Sequence, residues 1–480
     1  MPSSFMKSPG PGCRETGRGT RVARAIPDTW WRQYRHLQGS AAASHAVFSA
    51  KRDDKTVNSI VERGPVRLVE SGVMSKVKFS PPHFEERSDV LARERNRKMA
   101  QSAHSFVRGN TAQFYEWLDS SSAPGVPEGP PIWICGDCHV GNLGPVADAA
   151  GRIRIHVRDL DQTVIGNPAL DLIRLALSLA SAARGSNLPG VVTAHMLEAV
   201  MEGYESAFEH DFDEAQDNSE PPDAVRIAMR EARRRTWKQL AKEHIGDTRP
   251  KIPLGPKFWP ITEDERGAIE SVFSDRSVAR VVTMVESRSD EAKVDVIDSA
   301  YWMKGCSSLG LLRYGALLGV SDETLNPAEL CLMDIKEAVA SVAPAAKGAE
   351  MPDDYGQRVV EGALHISPFL GERMSATTLL DRPVFIRELL PQDLALELNR
   401  MMSDEVMKTA AYLATVVGFA HARQMDSSTR SSWQNELSSN RSPDLDAPSW
   451  LWTNVVGLLI DHERTYLEHC RRYALADQAR

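Results

Sequence analysis

Residues 131–175 read PIWICGDCHVGNLGPVADAAGRIRIHVRDLDQTVIGNPALDLIRL. Two short runs of β-type residues, PIWIC (131–135) and RIRIHVRDL (152–160), flank a glycine-rich turn, and an apolar helix starts after Pro168. The turn is Gly136-Asp137-Cys138-His139-Val140-Gly141-Asn142. An Asp and an Asn on one tight loop can face the same pocket. There the Asp can take a hydroxyl proton while the Asn amide oxygen ligates a divalent cation. Taken alone, the same two residues can equally well do no more than shape a β-turn.

The second run ends in Arg158-Asp159-Leu160-Asp161. Alternation along an extended chain aims Asp159 and Asp161 to one face. A shared Mg²⁺ would relieve their repulsion, and hard oxygen ligands suit that ion. In Gly166-Asn167-Pro168-Ala169-Leu170-Asp171, Asn167 and Pro168 suit a helix start. Asp171, in the first turn of a largely apolar helix, is read as pointing inward. The helix dipole alone would favour a carboxylate there; the preferred reading is a buried anchor that accepts backbone N–H groups of the loop.

The wider chain sets bounds on this site. Its 480 residues are too many for one ordinary core and imply two or three domains or lobes. A net charge of −8 and a pI near 6.0 give no global basic field, which argues against a nucleic-acid partner but not against a small anion in a local basic pocket. Six cysteines are few for this length and read as reduced thiols. The start lacks an apolar stretch of signal-peptide length. The run LIRLALSLASAA is too short to span a membrane and carries Arg174. The expectation is a cytoplasmic protein without a membrane partner.

Four segments are expected. Residues 1–80 form a partly disordered extension. Residues 81–284 are mainly helical, with two helices broken near Gly109. β-type runs begin with VARVVTMVE from Val278 and fill residues 285–395, and residues 396–480 return to helix. There is no internal repeat.

With GDCHVGN, RDLD and GNPALDL in view, the region resembles aminoglycoside- and choline-kinase-type phosphotransferases. Those carry an H-G-D-x-H-x-x-N loop, an I-D-[FW]-[ED] strand and a G-D-P-x-x-D-L helix start. Over roughly residues 85–430, with FVRGN (106–110) and HAR (421–423), the chain resembles more closely a bacterial family known as domain of unknown function 2252. The resemblance implies an α+β, bilobal, protein-kinase-like fold that uses ATP and Mg²⁺. It implies Asp137 as catalytic base, Asn142 and Asp159 as metal ligands, and Asp171 as structural anchor; the pairing of Asp161 with Asp159 adds it as an assisting ligand. One departure is Cys135, where the kinases have His.

A kinase also needs a phosphate-clamping lobe. Lys304-Gly305-Cys306-Ser307-Ser308-Leu309-Gly310 lies between two β-type runs, and such a turn offers N–H groups to phosphates through Gly305, Ser307, Ser308 and Gly310. Lys336 follows on an alternating run, as the third-strand lysine of kinases does. Glu361, in the helical RVVEGAL, is its expected partner, and PVFIRELLPQD (383–393) the adenine hinge. Because this lobe follows the catalytic loop, where ordinary kinases place it before, a circular permutation is inferred. Arg108 is a further candidate for the nucleotide phosphates or an anionic substrate.

The sequence reading is therefore an ATP/Mg²⁺-dependent phosphotransferase acting on a hydroxyl of a small-molecule acceptor. Kinase-like nucleotidyl transfer and non-catalytic nucleotide binding are the alternatives. Cys135-Gly-Asp-Cys138-His139 also spells the c-type haem attachment pattern, but that requires export. As a zinc site the pair is two ligands short.

Overall fold

Around the catalytic-looking stretch the chain makes four short strands, β1 (Ile132–Ile134), β2 (Leu143–Ala147), β3 (Ile153–Val157) and β4 (Val164–Gly166). The two expected strands do not pair with each other. β1 pairs antiparallel with β4, Ile132 opposite Gly166, and β3 pairs with β2, Val157 opposite Leu143. The β2 sequence, LGPVA, hides its strand character behind Gly144 and Pro145, residues depleted from strands, although the whole strand is buried. The two ribbons lay loop 135–142 beside loop 158–163, where Arg158 N donates to Asn142 O at 2.7 Å.

The computed structural model describes residues 80–473 except 121–124, 187, 210–220, 237–238, 241–250, 285–287, 290, 307, 322–328, 395–402 and 440–447. The chain divides into two units, Met1–Met74 and Ser75–Arg480. The extension expected over residues 1–80 lies, Ser80 apart, outside the described residues, as does Ser307.

Helices α1 (Arg87–Met99), α2 (Ala103–Gly109) and α3 (Thr111–Leu118) precede the ribbons. The chain does break at Gly109, and a further break falls at residues 100–102, where the Ser102 hydroxyl accepts Ser105 N at 3.0 Å and caps α2. After β4 come α4 (Ala169–Gly185), α5 (Gly190–Ser206) and α6 (Asp223–Arg234), then β5 (Phe258–Trp259), α7 (Glu263–Ser274) and α8 (Arg276–Thr283). The last corrects the β-type reading of VARVVTMVE over Val278–Thr283; Val285 and Glu286 lie outside the described residues. Asp275 caps the helix by accepting Ser277 N at 2.8 Å, and Val278, Val281 and Val282 share one buried face at helical spacing. Burial of that face outweighs the β preference of valine.

The remaining β-type runs build one antiparallel sheet from β5, β6 (Lys293–Trp302), β7 (Arg313–Ser321), β8 (Glu329–Glu337), β9 (Met374–Leu379) and β10 (Arg382–Glu388), in the order β5-β6-β7-β8-β10-β9. Helices α9 (Tyr355–Ile366) and α10 (Pro368–Gly371) connect β8 to β9. The odd positions of β8, Cys331, Met333 and Ile335, pack with Val278, Val282 and Phe273. The even positions face the other way: Leu332 joins Trp302 and Leu389, while Asp334 and Lys336 look toward the two loops. Helices α11 (Ser403–Ala422), α12 (Ser427–Ser439) and α13 (Ser449–Tyr473) complete an α+β chain. No helix of the described residues is long and apolar enough to cross a membrane.

α5 and α11 cross where Gly203 lies so close that a Cβ there would sit 2.1 Å from Ala411 O, whereas Gly267 on α7 faces open space. Gly203→Ala should therefore destabilise the protein by about 1–3 kcal/mol although alanine is the better helix former. Gly267→Ala should stabilise it by about 0.5–1 kcal/mol. Urea denaturation of the two variants checks both signs.

Candidate active site

The loop after β1 is held from below by one carboxylate. Asp171, 1% exposed in the first turn of α4, accepts Cys135 N at 2.7 Å on Oδ2 and Gly136 N at 3.0 Å on Oδ1. Its Oδ2 also accepts from His421 Nε2 at 3.2 Å, near the end of α11. That ring is fixed in turn, since Tyr204 Oη lies 3.0 Å from His421 Nδ1 and accepts Trp433 Nε1 at 3.0 Å. Gly136 adopts φ 73°, and a Cβ there would meet Gln162 O at 2.1 Å. Only glycine allows this backbone and this approach of the two loops.

Gly136 turns the chain so that Asp137 faces the cleft. Its Oδ1 accepts Arg174 Nε at 2.8 Å, and Arg174 is fully buried, donating also to Val107 O at 2.7 Å. His139 Nε2 lies 3.8 Å from Asp137 Oδ2. Burial pushes the imidazole down to about 3, against the pull of Asp137, so the ring is neutral at pH 7. Asn142 Nδ2 donates to Asp137 O at 3.0 Å, which leaves its Oδ1 available to a cation.

Asp159 and Asp161 do converge, on Lys336. The Lys336 ammonium, on a residue 3% exposed, lies 3.3 Å from both Asp159 oxygens and also bonds Asp161 Oδ2. Burial would raise Asp159, but Lys336 and its other neighbours hold it well below the ordinary carboxylate range. Burial and the Asp159 charge push Asp161 up to about 7. Asp161 Oδ1 is buried without a hydrogen-bond partner. Two carboxylates sharing one ammonium, with a bare oxygen left over, fit a divalent cation, and Mg²⁺ favours such oxygen ligands. Asp137, Asn142, Asp159 and Asp161 line one cavity of about 260 Å³, bounded above by Ser308, Leu309 and Leu311.

The turn after β6 roofs a second cavity of about 410 Å³, lined by Gly305, Cys306 and Ser308 together with Arg108, Asn142 and Asp159. Gly305 and Gly310 have φ of 92° and 109°. Lys98 Nζ donates to Gly305 O at 3.0 Å and ties the turn to α1. The Arg108 guanidinium lies flat against Gly141, where a Cβ would come within 2.7 Å of it. Lys304, before the turn, stands 4.1 Å over the Trp302 ring, and burial lowers it to about 7.

The expected Lys336–Glu361 pair does not form. Glu361 is half-exposed on α9 with an oxygen 3.8 Å from His365 Nδ1, whereas Lys336 is taken by the two aspartates. Arg358, three residues earlier on α9, instead reaches the site. It donates to Asp161 O at 3.0 Å, to Val339 O at 2.9 Å and to Thr163 O. Cys135, Cys138 and Asp171 bring their donor atoms within 4.8 Å of one another, so the fold supplies a third ligand that the sequence did not. Both oxygens of that carboxylate already serve the loop. The hydrogen bond to Cys138 and burial push the Cys135 thiol well up, and neither cysteine is more than 1% exposed. The pair therefore reads as packed thiols.

The family described as uncharacterized protein conserved in bacteria (DUF2252) matches residues 87–472. The chain belongs to the DUF2252 family. No curated protein and no solved structure matches it.

Sequence reasoning missed two arginines in this DUF2252 site. Arg174 sits one helical turn after Asp171 in an otherwise apolar run, and a buried arginine at that spacing was a usable signal. Arg358 gave none, because an arginine on a half-exposed helix is normally solvated. If Asp171 anchors the loop, Asp171→Ala strands two buried N–H groups and should cost about 3 kcal/mol or more of stability in urea denaturation.

Proposed function

We propose that this protein is an ATP- and Mg²⁺-dependent phosphotransferase that moves a γ-phosphoryl group to a hydroxyl of a small acceptor, working from a bilobal, kinase-like fold with permuted lobe order. The observation that carries the reading is the meeting of Lys336, on the third of three consecutive strands, with Asp159, 177 residues earlier, over the cavity that holds Asp137. The order β6, glycine turn, β7, β8 with its lysine, helix α9, β9, β10 supports a nucleotide lobe. It follows the catalytic loop in the chain, as a permutation requires. Arg387 Nη1 donates to Arg158 O and Arg158 Nη2 to Asp393 O, at 2.7 and 3.1 Å, contacts between the expected hinge and the stretch before Asp159 that support the reading.

In this mechanism the N–H groups of the 305–310 turn, Lys336 and Arg108 hold the phosphates. Arg174 fixes one oxygen of Asp137, and the other faces the cavity to receive the acceptor proton. As the acceptor oxygen bonds to the γ-phosphorus, the bond to the ADP oxygen breaks and the proton passes to Asp137. Bound Mg²⁺, held by Asn142, Asp159 and Asp161, would neutralise charge on the phosphates.

One observation favours nucleotidyl transfer as the second reading. Arg313, opposite Lys336 in the strand register, donates to Asp334 at 2.9 and 2.6 Å, Arg387 lies 3.6 Å from it, and Lys304, just after β6, is close by. This cluster of cations could hold the far end of a triphosphate lying in reverse. Labelling with [γ-³²P]ATP and [α-³²P]ATP separates the readings: phosphoryl transfer marks the product only from the first.

Asp137→Asn should lower turnover by about 10³-fold while the MgATP thermal shift persists. Asp159→Asn should weaken MgATP binding by about ten-fold or more, and EDTA should abolish turnover. Full turnover in Asp137→Asn would end the assignment.

A further inference from the structure

Beside the catalytic cavity lies a larger one of about 800 Å³, walled by α1, α2, the last turns of α13 and the Leu309–Gly310 edge of the glycine turn. Arg95 and Leu309 line both cavities, so the two are contiguous. The volume suits a small molecule.

We propose that the acceptor is a small anionic alcohol, whose phosphate or carboxylate is bound by Arg95, Arg471 and Arg472 while its hydroxyl reaches Asp137. The inference rests on the phosphotransfer reading and adds the acceptor's chemical class. Three arginines line the larger cavity against the single carboxylate of Glu468. Among the described residues none of the three has a carboxylate partner. The neighbouring Arg97 differs, since both its Nε and Nη2 are spent on Glu94, at 2.9 and 2.7 Å. Guanidinium groups without a carboxylate, converging from two helices, can meet a phosphate or carboxylate bidentately. The dipole at the end of α13 accounts for cations at 471 and 472, but it gives no reason for Arg95 on α1.

The walls are fixed relative to each other. His469 Nε2 donates to Asn96 O at 2.8 Å and Tyr466 Oη to Ala100 O at 3.2 Å, which locks α13 onto α1. Phe106 of α2 packs on the rings of both, with centroids 5.3 and 5.8 Å away. The cavity walls therefore need little rearrangement on binding, which favours affinity for a small ligand.

The test uses the full chain and a bacterial metabolite extract freed of nucleotides and split on an anion-exchange column. With [γ-³²P]ATP and Mg²⁺, label should enter compounds of the retained fraction. In the Arg471→Ala/Arg472→Ala variant the KM for that acceptor should rise by about ten-fold or more, equivalent to ~1.4 kcal/mol. The MgATP thermal shift serves as the reference that the variant is folded and its donor site intact. In parallel, inorganic phosphate and citrate should each be titrated for thermal stabilisation that the variant loses, and the stronger of the two tells phosphate from carboxylate. Label confined to the unretained fraction overturns the proposal, as does an unchanged KM, or the absence of any arginine-dependent shift with either anion. Failure of MgATP to give an Asp159-dependent shift would instead sink the phosphotransfer reading itself.

Discussion

A carboxylate under the loop organises this molecule. Asp171 takes the N–H groups of Cys135 and Gly136 into its two oxygens, where no water could replace it. The same group receives His421 from α11, so β1, α4 and α11 meet at one point. With that point fixed, Gly136 can hold its left-handed turn against Gln162 O, and Asp137 is presented to the cleft without freedom to fold back. Gln424 adds a clamp by pairing with both N and O of Trp133, which seals the outer edge of β1.

A second constraint joins the halves of the molecule. An ammonium as buried as that of Lys336 is costly to hold away from water unless it is paired. Asp159 and Asp161 supply the pairing from a loop that is remote in sequence. Burial and the neighbouring Asp159 charge push Asp161 up to about 7. In the proposed phosphotransfer this is where a divalent cation and the triphosphate it accompanies would be held.

How much could be read from the chain alone varies with the range of the interaction. The Asp137–Asn142 loop, the Asp159–Asp161 pair and the inward Asp171 were legible because each depends on a few neighbouring residues and on the period of a strand or helix. The helix over Arg276–Thr283 was misread as β-type because valine's local preference is overruled by burial against Phe273 and the β8 face. The pairing of β2 with β3 was obscured by Gly144 and Pro145, which carry the weakest strand signal of any residues. The partner of Lys336 was misassigned to Glu361 because helix periodicity alone does not say which face of α9 turns inward; burial of Arg358 does.

The sequence by itself determined the groups on offer: carboxylates, an amide and a lysine, spread over an α+β chain of 480 residues. Only the tertiary structure decided that the carboxylates and the amide share a cavity, that Lys336 pairs with two of them, that Arg174 and Arg358 belong with them, and that a larger, arginine-lined cavity opens beside them. The reason is that local propensities act over a few residues, whereas burial, charge pairing and loop closure join positions that no sequence period relates.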